Sequence, residues 1–386
     1  MLNKSIDLIE EKDAFANATK TVKQYKKEHP SNKVLSLGIG DVSRPLVKPV
    51  IDAMHEAVDE MADMKTFRGY GLYYGLEELK EAILKNEYRK YGISVDEIYV
   101  SNGTKTDSTS ILELFDIDSK ILLSNPMYPI YRNGAYSLNR KVYFAKLDRN
   151  FKMLMPKERY DIIYICSPSN PIGIAYNRED LTKWVKYALK HHSVIIYDNV
   201  YNAYVRSKDI PKSIYEIEGA KGCAIELRSF SKSASFTGLR CSYFVLPEAI
   251  EKGINHLWQK RTINRFNGAD YIVQKGAIAT FSKEAKKELK DNIRYYQKNA
   301  DYIKRELTSL DLEVIGGIDA PYLWVSFSKK KTSWEIFKTF LNELEVVVVP
   351  GEIFGSEGKH YCRVSALGTK ENTVEAIERI KKYYEK

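Results

Sequence analysis

The sequence predicts an α/β protein with a large domain built on a mainly parallel sheet and a smaller α+β domain beside it. Three observations carry this. Between residues 97 and 201 short apolar strands alternate with helical stretches, the pattern of right-handed crossovers and a sheet covered on both faces. A second alternation follows residue 310, with shorter strands. The chain, at 386 residues, is also longer than one compact core usually serves.

Residues 1–30 read as a polar helix that stops at His29-Pro30, where proline disfavours continuation. A short strand at 34–37 runs into Gly38-Ile39-Gly40-Asp41. The helix at 48–64 places Ile51, Met54, Val58 and Met61 on one face. A loop with three glycines, 69–75, precedes a helix at 76–91. Strands are then expected at 98–101, 120–124, 160–166, 193–197 and 222–227, with helices at 106–114 and 178–191. A helical tract at 249–292 and a separate helix at 295–307 lead to strands at 312–315, 322–327, 346–349 and 360–364, and to helices at 333–344 and 370–384. The expected division is a large domain over 45–285 and a small one formed by 1–44 with 286–386.

Bulk composition narrows the function classes. With 44% hydrophobic and 29% charged residues the chain is of ordinary globular type. Its net charge of +9 is spread through segments in which lysines interleave with glutamates, such as 284–290 and 371–386, so no nucleic-acid partner is expected. Cys166, Cys223, Cys241 and Cys362 lie far apart, without metal-ligand spacing, and read as buried thiols of a reducing compartment. The charged N-terminus is unlike a signal peptide, and no apolar run nears the ~20 residues that span a membrane. A cytoplasmic protein without a membrane partner is expected.

Chemistry concentrates at the carboxyl ends of the expected strands, where ligands of such sheets collect. Thr104 and Lys105, Tyr128, Asn170, Asp198 with Tyr201, then Ser229, Ser231 and Lys232 follow one strand after another, with Arg240 beyond. A lysine can form a Schiff base with an aldehyde. Gly103-Thr104-Lys105 opens a helix whose amides suit phosphate, with Ser229, Ser231 and Arg240 completing the cradle. Asp198, at the end of an apolar strand, suits a protonated pyridine nitrogen. Together they describe a site for an aromatic aldehyde phosphate. Taken singly, Lys232 also reads as a solvated lysine in a Ser-rich turn, Asp198 as a helix cap and the Asn-Pro pairs as turn formers.

The order Tyr128, Ser-Pro-Ser-Asn-Pro-Ile-Gly (167–173), Asp-Asn-Val-Tyr (198–201), Ser-Phe-Ser-Lys (229–232) and Arg240 resembles the fold-type I, pyridoxal-phosphate-dependent aminotransferases of the aspartate aminotransferase superfamily. The branch it is most similar to is that of the LL-diaminopimelate aminotransferases. That likeness rests on Leu-Gly-Ile-Gly-Asp (37–41), the stretch 229–240, Arg-Phe-Asn-Gly-Ala-Asp-Tyr-Ile-Val-Gln (265–274), Ala-Pro-Tyr-Leu-Trp (320–324) and Arg-Val-Ser-Ala-Leu-Gly (363–368).

The resemblance implies a seven-stranded sheet, pyridoxal 5′-phosphate as cofactor, and amino-group transfer between an L-amino acid and a 2-oxo acid. In its terms Lys232 holds the cofactor aldehyde and carries the proton, Asp198 holds the pyridinium, Tyr201 and Asn170 reach the ring oxygen and Tyr128 covers the ring. Thr104, Lys105, Ser229, Ser231 and Arg240 take the phosphate, with Tyr70 entering from a second subunit of a homodimer with shared sites. Arg363 clamps the substrate α-carboxylate with help from Gly40 and Asn170, while Asn267 approaches from the partner chain.

Departures from the branch fall on substrate recognition. Tyr73 stands where those enzymes carry a glutamate for the substrate's distal end, and Asp319 where they usually carry asparagine. A different amino-acid substrate is therefore expected, with a cationic tail if Asp319 faces the pocket. Two other readings compete: elimination or cyclisation on the same cofactor, and a non-catalytic regulator built on this fold. The second is disfavoured by the presence of Lys232 and the lack of a preceding winged-helix segment.

Overall fold

The structure, a computed structural model, describes residues 14–38 and 40–385 together with Ser5 and Ile9. Apart from Ser5 and Ile9, the part of the expected first helix before residue 14 lies outside the described residues. Helix α1 (Ala14–Glu28) ends before Pro30, and strand β1 (Leu35–Ser36) follows. Helix α2 (Lys48–Ala62) has proline in its first turn, where the missing N–H would have had no helical partner. Helix α3 (Glu77–Ile83) continues as one π-type turn, Leu84–Tyr88.

The large sheet is then laid down by β2 (Ile98–Ser101), α4 (Thr104–Ser110), β3 (Ile121–Leu123), α5 (Ile130–Ser137), β4 (Val142–Phe144), β5 (Ile162–Cys166), α6 (Arg178–His191), β6 (Val194–Asp198), β7 (Ala224–Ser229), the single turn α7 (Phe230–Ser233) and β8 (Ser242–Val245). Its order is β2-β8-β7-β6-β5-β3-β4, and β8 runs antiparallel to both neighbours while the other pairings are parallel. Strand β6 is buried along its whole length, as its Val-Ile-Ile-Tyr run requires of a strand covered on both faces. Truncating Ile196 there to alanine would remove about 2–5 kcal/mol. Boundaries are set locally. Asn177 and Asp180 form a capping box at the start of α6, satisfying amides that would otherwise lack partners.

Helices α8 (Ile254–Ile263), α9 (Tyr271–Ala279) and α10 (Lys283–Thr308) replace the two expected helical segments. Asp270 and Ser282 cap new helices inside the expected 249–292 tract, whereas nothing interrupts α10 between 292 and 295. The expected domain boundary at 285–286 thus falls in the first turn of one 26-residue helix. Beyond it come β9 (Glu313–Gly316), β10 (Tyr322–Ser326), α11 (Ser333–Leu344), β11 (Val346–Val347), β12 (Val349–Pro350), β13 (Cys362–Ser365) and α12 (Lys370–Tyr384). An antiparallel sheet of order β12-β13-β10-β9 and a parallel β1-β11 pair result. The expected 346–349 strand is therefore shared between two sheets. Leu35 and Leu37 join a core with residues of α10, β10, α11, β13 and α12, so the segment after α1 packs with the C-terminal part. Among the described residues no helix is long and apolar enough to cross a membrane.

Candidate active site

A cleft of about 600 Å³ opens at the carboxyl ends of β5, β6 and β7, and Arg363 of the small sheet, Gly38, Gly40 and Asp41 also line it. Twelve of the residues singled out from sequence line it: Gly40, Thr104, Lys105, Tyr128, Asn170, Asp198, Tyr201, Ser229, Ser231, Lys232, Arg240 and Arg363. Parallel pairing explains the convergence. Cys166 lies opposite Asp198, and Asp198 opposite Leu227, so the strands stop at nearly one level and their following residues share one rim.

Lys232 sits in α7, whose start is fixed by the Ser231 amide donating to the Ser229 hydroxyl (3.1 Å). Its ammonium donates to the Gly40 carbonyl oxygen. Burial lowers its pKa to about 8; Asp41 opposes the shift, and Arg363 and Arg240 add to it. The amine is thereby kept near the neutral form that a nucleophile or base needs.

Asp198 is almost fully buried and accepts from the Tyr131 hydroxyl and the Val200 amide (3.3 Å). Burial raises its pKa to about 6 against the pull of those two hydrogen bonds. A cationic ring nitrogen beside it would return the carboxylate to its charged form. Tyr131 was not foreseen. It lies in the first turn of α5, three positions after Tyr128, and meets that ring edge-on at 5.7 Å; no helix was expected there, so no signal in the sequence marked it.

Around the start of α4, Thr104 donates to the Arg228 carbonyl (3.2 Å), and Arg240 donates to the Ser231 hydroxyl (3.4 Å) and the Thr237 carbonyl (3.0 Å). Gly103 has φ +146°, and a Cβ there would lie 2.3 Å from Arg240 Nη2. Only glycine leaves the guanidinium room to close this end of the cleft. Lys105 and Arg240 give the same end two cations.

Arg363 is buried to 4% exposure, and no carboxylate lies within ion-pair distance of it among the described residues. It donates to Asn170 Oδ1 (2.8 Å) and the Gly38 carbonyl (3.1 Å), lies over the rings of Tyr322 and Phe354, and leaves Nε without a partner. A buried guanidinium in this state is a strong receptor for a carboxylate. Tyr201 exchanges a hydrogen bond with Tyr322 (3.0 Å), another cleft residue that sequence reasoning missed.

Four sequence candidates fall outside the cleft of this chain. Tyr70 is 92% exposed, and Tyr73 and Asn267 are also on the surface. Asp319 requires a correction. Its buried carboxylate accepts from the amides of Arg206 and Ser207 (both 2.8 Å) and the Ser207 hydroxyl (2.7 Å). That carboxylate anchors the 206–207 loop and does not face the cleft.

A lysine of lowered pKa that shares a cleft with a buried carboxylate, a set of cations and hydroxyls, and an arginine without a carboxylate partner among the described residues suits transfer chemistry on an anionic substrate. The profile of the family "Aminotransferase class I and II" matches residues 32–380. Proteins named LL-diaminopimelate aminotransferase are similar over almost the whole chain: that of Agathobacter rectalis is 44% identical over 95% of this chain and 96% of its own length. That of Bacteroides fragilis is 41% identical over 95% of each. The solved L,L-diaminopimelate aminotransferase of Chlamydomonas reinhardtii superposes with a TM-score of 0.90 at 35% identity, over 96% of this chain and 95% of its own. The chain belongs to the class I and II aminotransferases. It is an enzyme of the pyridoxal-phosphate aminotransferase type.

The residues present fit that cofactor. Cations and hydroxyls, the buried Asp198 carboxyl and the Lys232 amine line one cleft.

Proposed function

We propose that this chain binds pyridoxal 5′-phosphate at Lys232 and transfers an amino group between an L-amino acid and a 2-oxo acid, acting on a donor other than LL-diaminopimelate. The buried Arg363, unpaired with any described carboxylate, carries the reading of an amino-acid substrate. The cofactor, when bound, supplies an electron sink that makes the substrate Cα–H acidic. Thr104, Lys105, Ser229, Ser231 and Arg240 would hold its phosphate, Asp198 its ring nitrogen, Tyr201 and Asn170 its ring oxygen, and Tyr128 its ring face.

This chain's residues then have distinct tasks. Arg363 fixes the α-carboxylate, and Asn170, already bonded to that guanidinium at 2.8 Å, orients the fork. Asp198 keeps a positive charge on the ring side through a carboxylate that Tyr131 holds in place. Lys232, with its pKa drawn down to about 8, accepts and returns the Cα proton.

In the proposed homodimer the 69–75 loop that would bring Tyr70 into the partner's site also carries Tyr73, so the distal end of the donor is read differently. Tyr73 stands where the resembling branch uses a glutamate, and a phenol cannot offer a cationic tail the same full charge. With Asp319 bonded to the 206–207 loop, the proposal of a cationic tail loses its support, and a donor with an uncharged side chain is favoured. The test is a donor panel assayed with the holoenzyme under identical conditions. An uncharged-tail amino acid should give the highest kcat/KM, and LL-diaminopimelate as the best donor would end this reading of Tyr73.

A homodimer with shared sites is part of the proposal. Met64, Phe67, Tyr70 and Leu72 expose large apolar surface within one short stretch, which a second copy would cover. Mixing Lys232→Ala chains with Tyr70→Ala chains tests it. If Tyr70 acts in trans, mixed dimers regain one intact site in two, so about a quarter of wild-type activity returns at equal mixing. A mixture no more active than its parents would place Tyr70 outside the partner's site.

A further inference from the structure

A second cleft, of about 560 Å³, lies behind the segment that carries Lys232. That volume suits a small molecule. Ser229 lines both clefts, so only the Ser229–Ala234 stretch separates them at this point. The charge of its lining is one-sided: Arg206, Lys212, Arg228, Lys286, Lys290 and Arg294 contribute cations, and Glu87 is the sole acid among the residues lining it.

Part of that charge is internally compensated and part is not. Arg228 pairs with Glu87 (2.6 Å) and Glu226 (3.4 Å), and Arg206 with Asp301 (2.9 Å). Arg294 reaches Asp291 at 3.4 Å, a pair whose two side chains are largely solvated. Lys286 donates to the neutral Asn86 side chain (2.6 Å), and for Lys212, Lys286 and Lys290 no carboxylate lies within ion-pair distance among the described residues. Lys286, Lys290 and Arg294 are also spaced four apart on α10. Such like-charged i,i+4 neighbours repel and weaken a helix, a cost that an anion bridging them would remove.

The cleft is connected to the catalytic lysine by two hydrogen bonds. Gln297 of α10, in its wall, donates to the Tyr204 carbonyl (3.0 Å), and the Tyr204 hydroxyl donates to the Lys232 carbonyl (3.2 Å). Anything that draws α10 toward the opposite wall pulls on this chain of contacts.

We infer that this cleft is an effector site for a compact polyanion bearing at least two phosphate or carboxylate groups, held by Lys212, Lys286, Lys290 and Arg294, and that its occupancy is felt at Lys232. The inference needs no particular amino-acid substrate. Calorimetric titration of the cofactor-loaded protein with inorganic pyrophosphate, and separately with citrate, tests binding. The reference is the triple variant Lys286→Gln/Lys290→Gln/Arg294→Gln, whose changes are on the exposed helix face. Saturable binding of either probe to the wild type, weakened about tenfold or more in the triple variant, is expected, with cofactor content unaltered. Pyrophosphate alone would assign phosphate groups, and citrate alone carboxylates. Equal binding to both proteins, or no saturable binding of either probe, would overturn the site. Coupling is read from the pH titration of the cofactor absorbance. Saturating anion should move its midpoint upward in the wild type, through added negative charge, and by less in Gln297→Leu. Anion binding that leaves that midpoint unchanged would overturn the link to Lys232.

Discussion

Lys232→Ala is expected to lower amino transfer by roughly 10⁴-fold or more, since the proposed mechanism uses one side chain as both the attachment point and the proton carrier. The variant protein should fold with unchanged thermal stability, because Lys232 is on the wall of an open cleft and its removed contact is one bond to the Gly40 carbonyl. Added cofactor should remain dialysable and leave no covalent adduct. The lowered pKa adds a pH signature. Capture of the aldehyde by cofactor-free wild-type protein requires the neutral amine. Its rate should therefore fall as pH drops through about 8, well below the range of an ordinary lysine. Stopped-flow mixing across that range measures the midpoint, and a midpoint near that of free lysine would remove the argument from burial.

Arg363→Ala is expected to lower kcat/KM by about 10²–10³, equivalent to roughly 3–4 kcal/mol for loss of a buried, charge-assisted clamp. Most of the loss should appear in KM, and amines lacking a carboxylate should lose far less. Arg363→Lys should recover only part of it, because an ammonium cannot reproduce the planar fork that now reaches both Asn170 and Gly38. Equal losses for substrates with and without the carboxylate would show that Arg363 acts through the packing of Tyr322 and Phe354 instead.

The parts of the fold that could be read from sequence are those where burial leaves a simple mark. Strands β5 and β6 are apolar runs inside the sheet up to the closing Asp198 of β6, and the start of α6 is written in its capping residues Asn177 and Asp180. Strand β4 is three residues long and half exposed, too short to leave a period to detect, and α5 is only eight residues long with Asn133 and Gly134 inside it. The break expected between 292 and 295 had a different origin. Asn292 and Asn299 lie buried along the continuous helix α10, where Asn292 accepts from Arg44 (3.1 Å) and Asn299 donates to the Ala366 and Gly368 carbonyls (3.1 and 3.0 Å). Those partners are far away in sequence.

The same distinction holds at the site. Thr104, Asn170, Asp198 and Lys232 were legible because each ends or closely follows a strand, and parallel strands bring their ends together. Asp319 was not, because its partners Arg206 and Ser207 lie more than a hundred residues earlier and only the folded chain joins them. Tyr131 was hidden in a helix that sequence did not reveal.

We propose that Lys232, Asp198 and Arg363 form one site that moves an amino group. A single-turnover absorbance titration tests it most directly: yellow, cofactor-loaded protein is mixed with an L-amino acid and no oxo acid, and absorbance and products are followed together. Amino transfer predicts stoichiometric conversion of the visible aldehyde band to the near-ultraviolet aminated form, one 2-oxo acid released per chain, and recovery of the yellow band on adding a 2-oxo acid. Continuous product formation with the aldehyde band retained, or ammonia in place of the aminated cofactor, would contradict it.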